Sequence, residues 1–228
     1  MSGYSIDTDG FSTVESLLTK QEVDDLVNFV EENSCANRRR GGVRNLLDFP
    51  RMRSLAESKP VRSAVNMILG SDARVVRGIL FDKTEEANWK VPWHQDVTIA
   101  VSQRVEAAGY GPWSMKAGVL HVQPPASVLE RMISVRLHLD DCPKENGALR
   151  VIAGSHANGK LEERSIQELA EGSVAVACSM QRGDALIMRP LLLHASSASS
   201  FPGHRRVVHF DYAATELPLG MGWAEVHA

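Results

Sequence analysis

The spacing of apolar residues changes period near residue 74, and that change limits the folds open to the chain. Upstream, Thr19-Lys20-Gln21-Glu22 has the form of a capping box, in which hydroxyl and carboxylate satisfy end amides reciprocally. Val23, Leu26, Val27 and Val30 follow at spacings that put one apolar stripe on a helix. A second helix is predicted to open at Pro60 and close at Gly70, with Val61, Val65, Ile68 and Leu69 facing inward. Between them NRRRGGVRN, with Arg38, Arg39, Arg40 and Arg44, reads as an exposed basic loop.

Downstream, short β-branched runs recur between turn signals, at 74–81, 117–122, 132–139, 148–152, 174–178, 185–188 and 205–212. Asn146-Gly147 predicts a hairpin between two of them. Ser165-Ile166-Gln167-Glu168 predicts a second capping box, opening one interrupting helix. Helices first and then many strands predict an α+β fold: a helical layer packed on a β-sandwich or jelly roll. With no internal repeat and no low-complexity linker, residues 1–228 are expected to form a single domain.

The composition excludes several functions. A net charge of -3 leaves no electrostatic footprint for nucleic acid or an anionic membrane. Cys35, Cys142 and Cys178 are scattered, which argues against a disulfide framework or a thiolate metal site. The first ten residues are polar and acidic, unlike a signal peptide, and no apolar run reaches membrane-spanning length. The expectation is a cytoplasmic protein whose partner is a small molecule, its oligomeric state left open.

Candidate chemistry begins with His94-Gln95-Asp96. On an extended chain positions i and i+2 share a face, so an imidazole and a carboxylate can point at one ion. A second imidazole from a distant strand would complete the facial triad of a non-haem iron(II) oxygenase, which keeps the opposite face open. H-x-D alone is weak, since His138/Asp140 and His209/Asp211 repeat it. The C-terminal segment favours the first pair. Arg189-Pro190-Leu191-Leu192-Leu193-His194-Ala195-Ser196 ends an apolar run on a histidine, and Arg205 follows eleven residues later beside Arg206. An arginine so placed could reach the far end of a bound dicarboxylate, which its planar fork suits. Strand alternation sends Arg205 and Arg206 to opposite faces.

Taken together, W-H-Q-D at 93–96, N-G-A-L-R-V-I-A-G-S-H at 146–156, and H-A-S with its later arginine resemble the phytanoyl-CoA dioxygenase family. The likeness runs from about residue 10 to 213. It implies a double-stranded β-helix core with the N-terminal helices packed on one sheet, and a dioxygenase using iron(II), 2-oxoglutarate and O2. It further implies His94, Asp96 and His194 as catalytic metal ligands, Arg205 as partner of the 2-oxoglutarate C5 carboxylate, and Ser196 as its helper. By the family spacing Arg206 falls to the surface or behind the site, and His156 to a structural turn. An aspartate at position 96 argues against halogenation, because halogenating relatives lack that carboxylate.

The expected reaction is hydroxylation of a small polar or anionic metabolite, coupled to decarboxylation of 2-oxoglutarate to succinate. Desaturation, epimerisation or cyclisation by the same site is an alternative, as is a non-catalytic jelly-roll binding module. A cupin is disfavoured, since its H-x-H block is absent. Between residues 98 and 125 the chain reads as a binding loop or lid, containing Tyr110, Trp113, Lys116, His121 and Gln123. Lys83, Trp113, Lys116, His121, Arg136 and His138 are the candidate substrate contacts, although Lys83 and Lys116 read equally well as solvated surface charges.

Overall fold

The computed structural model describes residues 3–34, 42–85, 87–200 and 203–224. Arg38, Arg39 and Arg40 of the basic loop lie outside them. Among the described residues no helix is long and apolar enough to cross a membrane.

The described residues form twelve strands: β1 (Phe11–Val14), β2 (Arg74–Lys83), β3 (Val91–His94), β4 (Ile99–Val101), β5 (Trp113–Lys116), β6 (Val119–Val122), β7 (Met132–His138), β8 (Leu149–Val151), β9 (Val176–Cys178), β10 (Ala185–Met188), β11 (His194–Ser196) and β12 (Arg205–Ala213). The helices are α1 (Lys20–Ser34), α2 (Pro50–Ala56), α3 (Lys59–Leu69), α4 (Ala126–Leu129) and α5 (Glu163–Gly172). A five-stranded major sheet runs β1-β10-β7-β12-β2, and a four-stranded minor sheet runs β3-β11-β8-β9. A third sheet, β4-β6-β5, stands beside them. The strand pairings among the described residues are all antiparallel.

The helical layer forms as its sequence predicts. Thr19 N donates to Glu22 Oε2 at 2.7 Å and Glu22 N to Thr19 Oγ1 at 3.3 Å, so the capping box closes. Val23, Leu26 and Val30 of α1 and Val61, Ala64 and Val65 of α3 are buried in one core cluster with Ile133, Val135, Leu137, Val208, Phe210 and Tyr212 of the major sheet. Each fully buried aliphatic side chain stabilises by about 1.5–3 kcal/mol, so this one-sided packing anchors the sheet.

The opposite face of the same sheet is polar. Register pairs Lys83 with Arg205, Arg77 with Asp211, Arg136 with His209, and Ser134 with Asp211. Alternation therefore sends Val135, Leu137, Val208, Phe210 and Tyr212 to the helices, and a row of charges towards the minor sheet. The two sheets meet across that row, where Lys83 Nζ on the major sheet bonds Ser196 Oγ on the minor one at 2.9 Å. Burying so many charges costs too much for a purely structural interior. It marks a site.

Two local expectations fail. Asn146-Gly147 is not a hairpin: β7 pairs with β10 and β12, while β8 pairs with β11 and β9. The dipeptide ends a 3-10 turn (Lys144–Asn146) that carries the chain from one sheet to the other. Gly147 still needs its positive φ of 64°, and a Cβ there would stand 2.5 Å from Ser197 O. Gly147→Ala is expected to lower stability by about 1–3 kcal/mol, read from the denaturant midpoint. The second capping box is also absent: α5 starts two residues before Ser165, with Glu162 at its N-cap, and Glu168 accepts instead from Arg164.

Candidate metal centre and cavity

β3 and β11 are paired neighbours with His94 in register opposite His194, so residues 100 positions apart meet across one ladder. Asp96 lies just past β3, its amide fixed by Pro190 O at 2.9 Å. His94 Nε2 stands 3.9 Å from Asp96 Oδ1, and His194 Nε2 stands 3.7 Å from Asp96 Oδ2. One donor atom from each of the three falls within 4.8 Å of the others.

The donor set fits a metal ion. His94 Nδ1 bonds Pro92 O at 2.9 Å and His194 Nδ1 bonds Leu192 O at 2.8 Å. A carbonyl only accepts, so each Nδ1 carries the proton and each Nε2 presents its lone pair inward. Burial, opposed by Asp96, pushes the His194 pKa down to about 4, which keeps the ring neutral at pH 7. Burial also works against ionisation of Asp96, but His194, His94 and Arg77 overcome it and hold its pKa below the ordinary value. A neutral His194 imidazole and an ionised Asp96 carboxylate result, with His94 Nε2 turned to the same point. With metal bonds of about 2.1 Å, cis donors of one ion stand about 3.0 Å apart, so each imidazole closes on the carboxylate by under about an ångström. His194 is 5% exposed, whereas His94 and Asp96 are 36% and 31% exposed, which leaves one side of the cluster open.

That open side faces a cavity of about 360 Å³. Arg205 lines it, with its NH1 donating to Gly147 O and its Nε buried without a partner among the described residues. Lys83 lines it too, its Nζ donating to Ser196 Oγ at 2.9 Å and to Ser197 O at 2.6 Å. Burial first, then the charge of Arg205, lowers the Lys83 pKa to about 7. Arg206 turns the other way and is neither surface nor near the cavity: it grips Asp140 through Nε and NH2 and Glu31 through NH1.

The predicted substrate contacts divide. Lys83, Lys116 and Arg136 line the cavity; Trp113, His121 and His138 do not. The expected lid is the third sheet: Trp113 pairs with Val122 and packs with Val101, Leu129 and Trp223, so bulk that suggested a binding loop serves a small core. His121 is 2% exposed and bonds Val119 O. His138 is buried with both ring nitrogens unpartnered among the described residues. Arg77, His209 and Asp211 were not anticipated. Asp211 accepts from Arg77 Nε (2.6 Å), Ser134 Oγ (2.6 Å) and His209 Nε2 (2.8 Å). The second of the dismissed H-x-D pairs thus braces the cavity wall, and its alternation with Arg205 on one strand face was the available signal.

The sequence profile of the phytanoyl-CoA dioxygenase family matches residues 6–207. The chain belongs to that family. The family comprises non-haem iron oxygenases dependent on 2-oxoglutarate, so the chain is an oxidoreductase with iron and 2-oxoglutarate as cofactor and co-substrate. No curated protein matches it in sequence. Its fold is similar to those of several solved structures. The α-ketoglutarate-dependent carbocyclase SnoK from nogalamycin biosynthesis superposes with TM-score 0.71 at 17% identity, over 91% of this chain and 81% of SnoK. HygX from Streptomyces hygroscopicus, solved with nickel, 2-oxoglutarate and hygromycin B, gives 0.65 at 18%, over 92% and 85%. EctD from S. alaskensis with bound Fe gives 0.69 at 20%, over 92% and 74%. Double-stranded β-helix architecture is thereby established for this member of the family.

Proposed function

We propose that this chain is one cytoplasmic oxygenase domain that hydroxylates a small anionic metabolite, with iron held by His94, Asp96 and His194. The observation that carries the substrate class is the charge of the cavity. Lys83, Lys90, Lys116, Arg136 and Arg205 line it, besides Arg44 and the Asp211-paired Arg77, and Asp96 is the one lining acid among the described residues. One co-substrate dianion does not balance that excess. The free, buried thiols of Cys142 and Cys178 suit a reducing compartment.

Bound iron and 2-oxoglutarate would supply oxidative decarboxylation to succinate and removal of a substrate hydrogen. The chain's own part is to bind, orient and exclude water. The Pro92 and Leu192 carbonyls fix both imidazole tautomers, and Asp96 supplies the negative charge. Arg205, anchored on Gly147, and Lys83, anchored on Ser196, form the seat for the distal carboxylate of 2-oxoglutarate. Lys83 therefore serves the co-substrate more than the substrate. Ile79, Phe81, Val91 and Leu149 give the cavity apolar walls that displace water.

Lys83 makes the seat sensitive to pH. Its pKa of about 7 in the free protein is below that of an ordinary lysine, and an arriving carboxylate stabilises the charged form. Binding then takes up a proton above pH 7. The Kd for 2-oxoglutarate is expected to rise as pH increases past 7, by up to about tenfold per unit. Lys83→Met should weaken binding and flatten the profile in calorimetric titrations.

The direct test is carbon dioxide release from carboxyl-labelled 2-oxoglutarate with iron(II), followed by a screen of acids, amino-acid derivatives and acyl thioesters for stimulation. Isotopic oxygen in the product identifies hydroxylation. Its absence, with substrate consumed, would favour cyclisation or epimerisation on the pattern of the carbocyclase neighbour. Tight ligand binding with no succinate formed would favour a binding module.

A further inference from the structure

Arg136 is a buried cation with no ion pair of its own among the described residues. It sits mid-strand on β7, in register with His209 on β12 and Leu186 on β10, and is 8% exposed while lining the cavity. Its NH1 bonds His209 Nδ1 at 3.1 Å. A guanidinium only donates, so that ring nitrogen accepts, and the proton of the neutral imidazole sits on Nε2, donating to Asp211 Oδ1. Asp211 is itself ion-paired with Arg77 at 2.6 Å. The nearest acid in this chain of bonds is therefore already engaged. Arg136 Nε is buried with no partner among the described residues, and the group stacks 5.3 Å over Phe81.

Such an arrangement is expensive unless an anion arrives, because an unpaired buried ion costs several kcal/mol. Bound iron and 2-oxoglutarate do not provide enough. A metal dication, the Asp96 carboxylate and the co-substrate dianion sum to one negative charge, while Arg205 and Arg136 alone bring two positive charges. Counting Lys83 as charged widens the excess. Arg205 bonds Gly147 O and Lys83 bonds Ser196 Oγ, whereas Arg136 bonds His209, four residues along β12 from Arg205.

We propose that Arg136 is a specificity-determining residue that receives a carboxylate of the primary substrate, apart from the seat that holds 2-oxoglutarate. The inference rests on the assignment of that seat to Arg205. His209, Asp211 and Phe81 hold the fork in place before the ligand arrives, so little ordering cost remains at binding. Both a substrate and the second carboxylate of 2-oxoglutarate offer the same chemistry, and the experiment separates them.

Crystals of the nickel-loaded protein with 2-oxoglutarate are soaked in formate, the smallest carboxylate. Formate on Arg136 of the native protein, with both 2-oxoglutarate carboxylates elsewhere, is the expected result. A 2-oxoglutarate carboxylate on Arg136, or Arg136 with no anion while formate decorates surface lysines, overturns the proposal. In solution, Arg136→Gln should change the Kd for 2-oxoglutarate by less than about threefold, and a tenfold or greater loss would also overturn it. Should 2-oxoglutarate be missing from the metal altogether, the reading of the co-substrate seat fails, whereas formate at Arg136 is still scored on its own.

Discussion

Alanine in place of His194 is expected to cut iron-dependent 2-oxoglutarate turnover by more than about a thousandfold, a loss of about 4 kcal/mol in transition-state stabilisation. The imidazole is one of two nitrogen donors in the cluster, and its Nε2 faces Asp96 at 3.7 Å. Without it two donors remain, too few for a facial triad. The fold should survive. The His194 ring makes one hydrogen bond among the described residues, to Leu192 O, and its strand keeps its pairing with β3 and β8. Loss of that bond and the space left behind should cost about 1–3 kcal/mol, visible as a lower melting temperature with cooperative unfolding retained. Metal content after dialysis and succinate formation are the two readouts. Full turnover in the variant would show that the ligand is another residue.

Arg205→Gln should raise the Kd for 2-oxoglutarate by about two to three orders of magnitude, while turnover at saturating co-substrate falls much less. Truncating one partner of a desolvated, hydrogen-bonded charge pair costs about 2–5 kcal/mol. Arg205 is 4% exposed with an unpartnered Nε, so its fork is already stripped of water. Lysine at 205 should restore only part of the affinity, since it supplies charge without the fork. The neighbouring Arg206 is the control. Its bonds go to Asp140 and Glu31, joining β12 to α1, so Arg206→Gln should lower stability and leave the Kd unchanged. Calorimetric titration of the four proteins decides between a co-substrate seat and a general electrostatic effect.

Long-range convergence was legible only in combination. H-x-D occurs three times and does not choose by itself, whereas the apolar run ending on His194, Arg205 eleven residues on and the family blocks single out the three side chains that lie together. The amphipathic helices were legible too, because α1 and α3 bury one stripe against one sheet and their spacing follows the helical period. Strands with a buried outer face, such as β7 and β12, gave β-branched runs within one or two residues of their bounds.

Other elements left no such trace. β3 and β11 are three or four residues long and carry the site itself, so function rather than period chose their residues. The hairpin dipeptide at Asn146-Gly147 marks a positive φ correctly, yet a positive φ serves a crossover as well as a hairpin. Trp113 and His121 resembled cavity residues because polar and aromatic content cannot tell a lid from a small satellite sheet. The inner wall formed by Arg77, Arg136, His209 and Asp211 depends on the register of three strands, which nothing local specifies.

Anomalous scattering at the iron edge, from anaerobic crystals grown with iron(II), addresses the central claim most directly. A single strong peak is expected between His94 Nε2, the Asp96 carboxylate and His194 Nε2, within about 2.3 Å of each. A peak elsewhere, or none beside that cluster at full iron loading, would contradict the account.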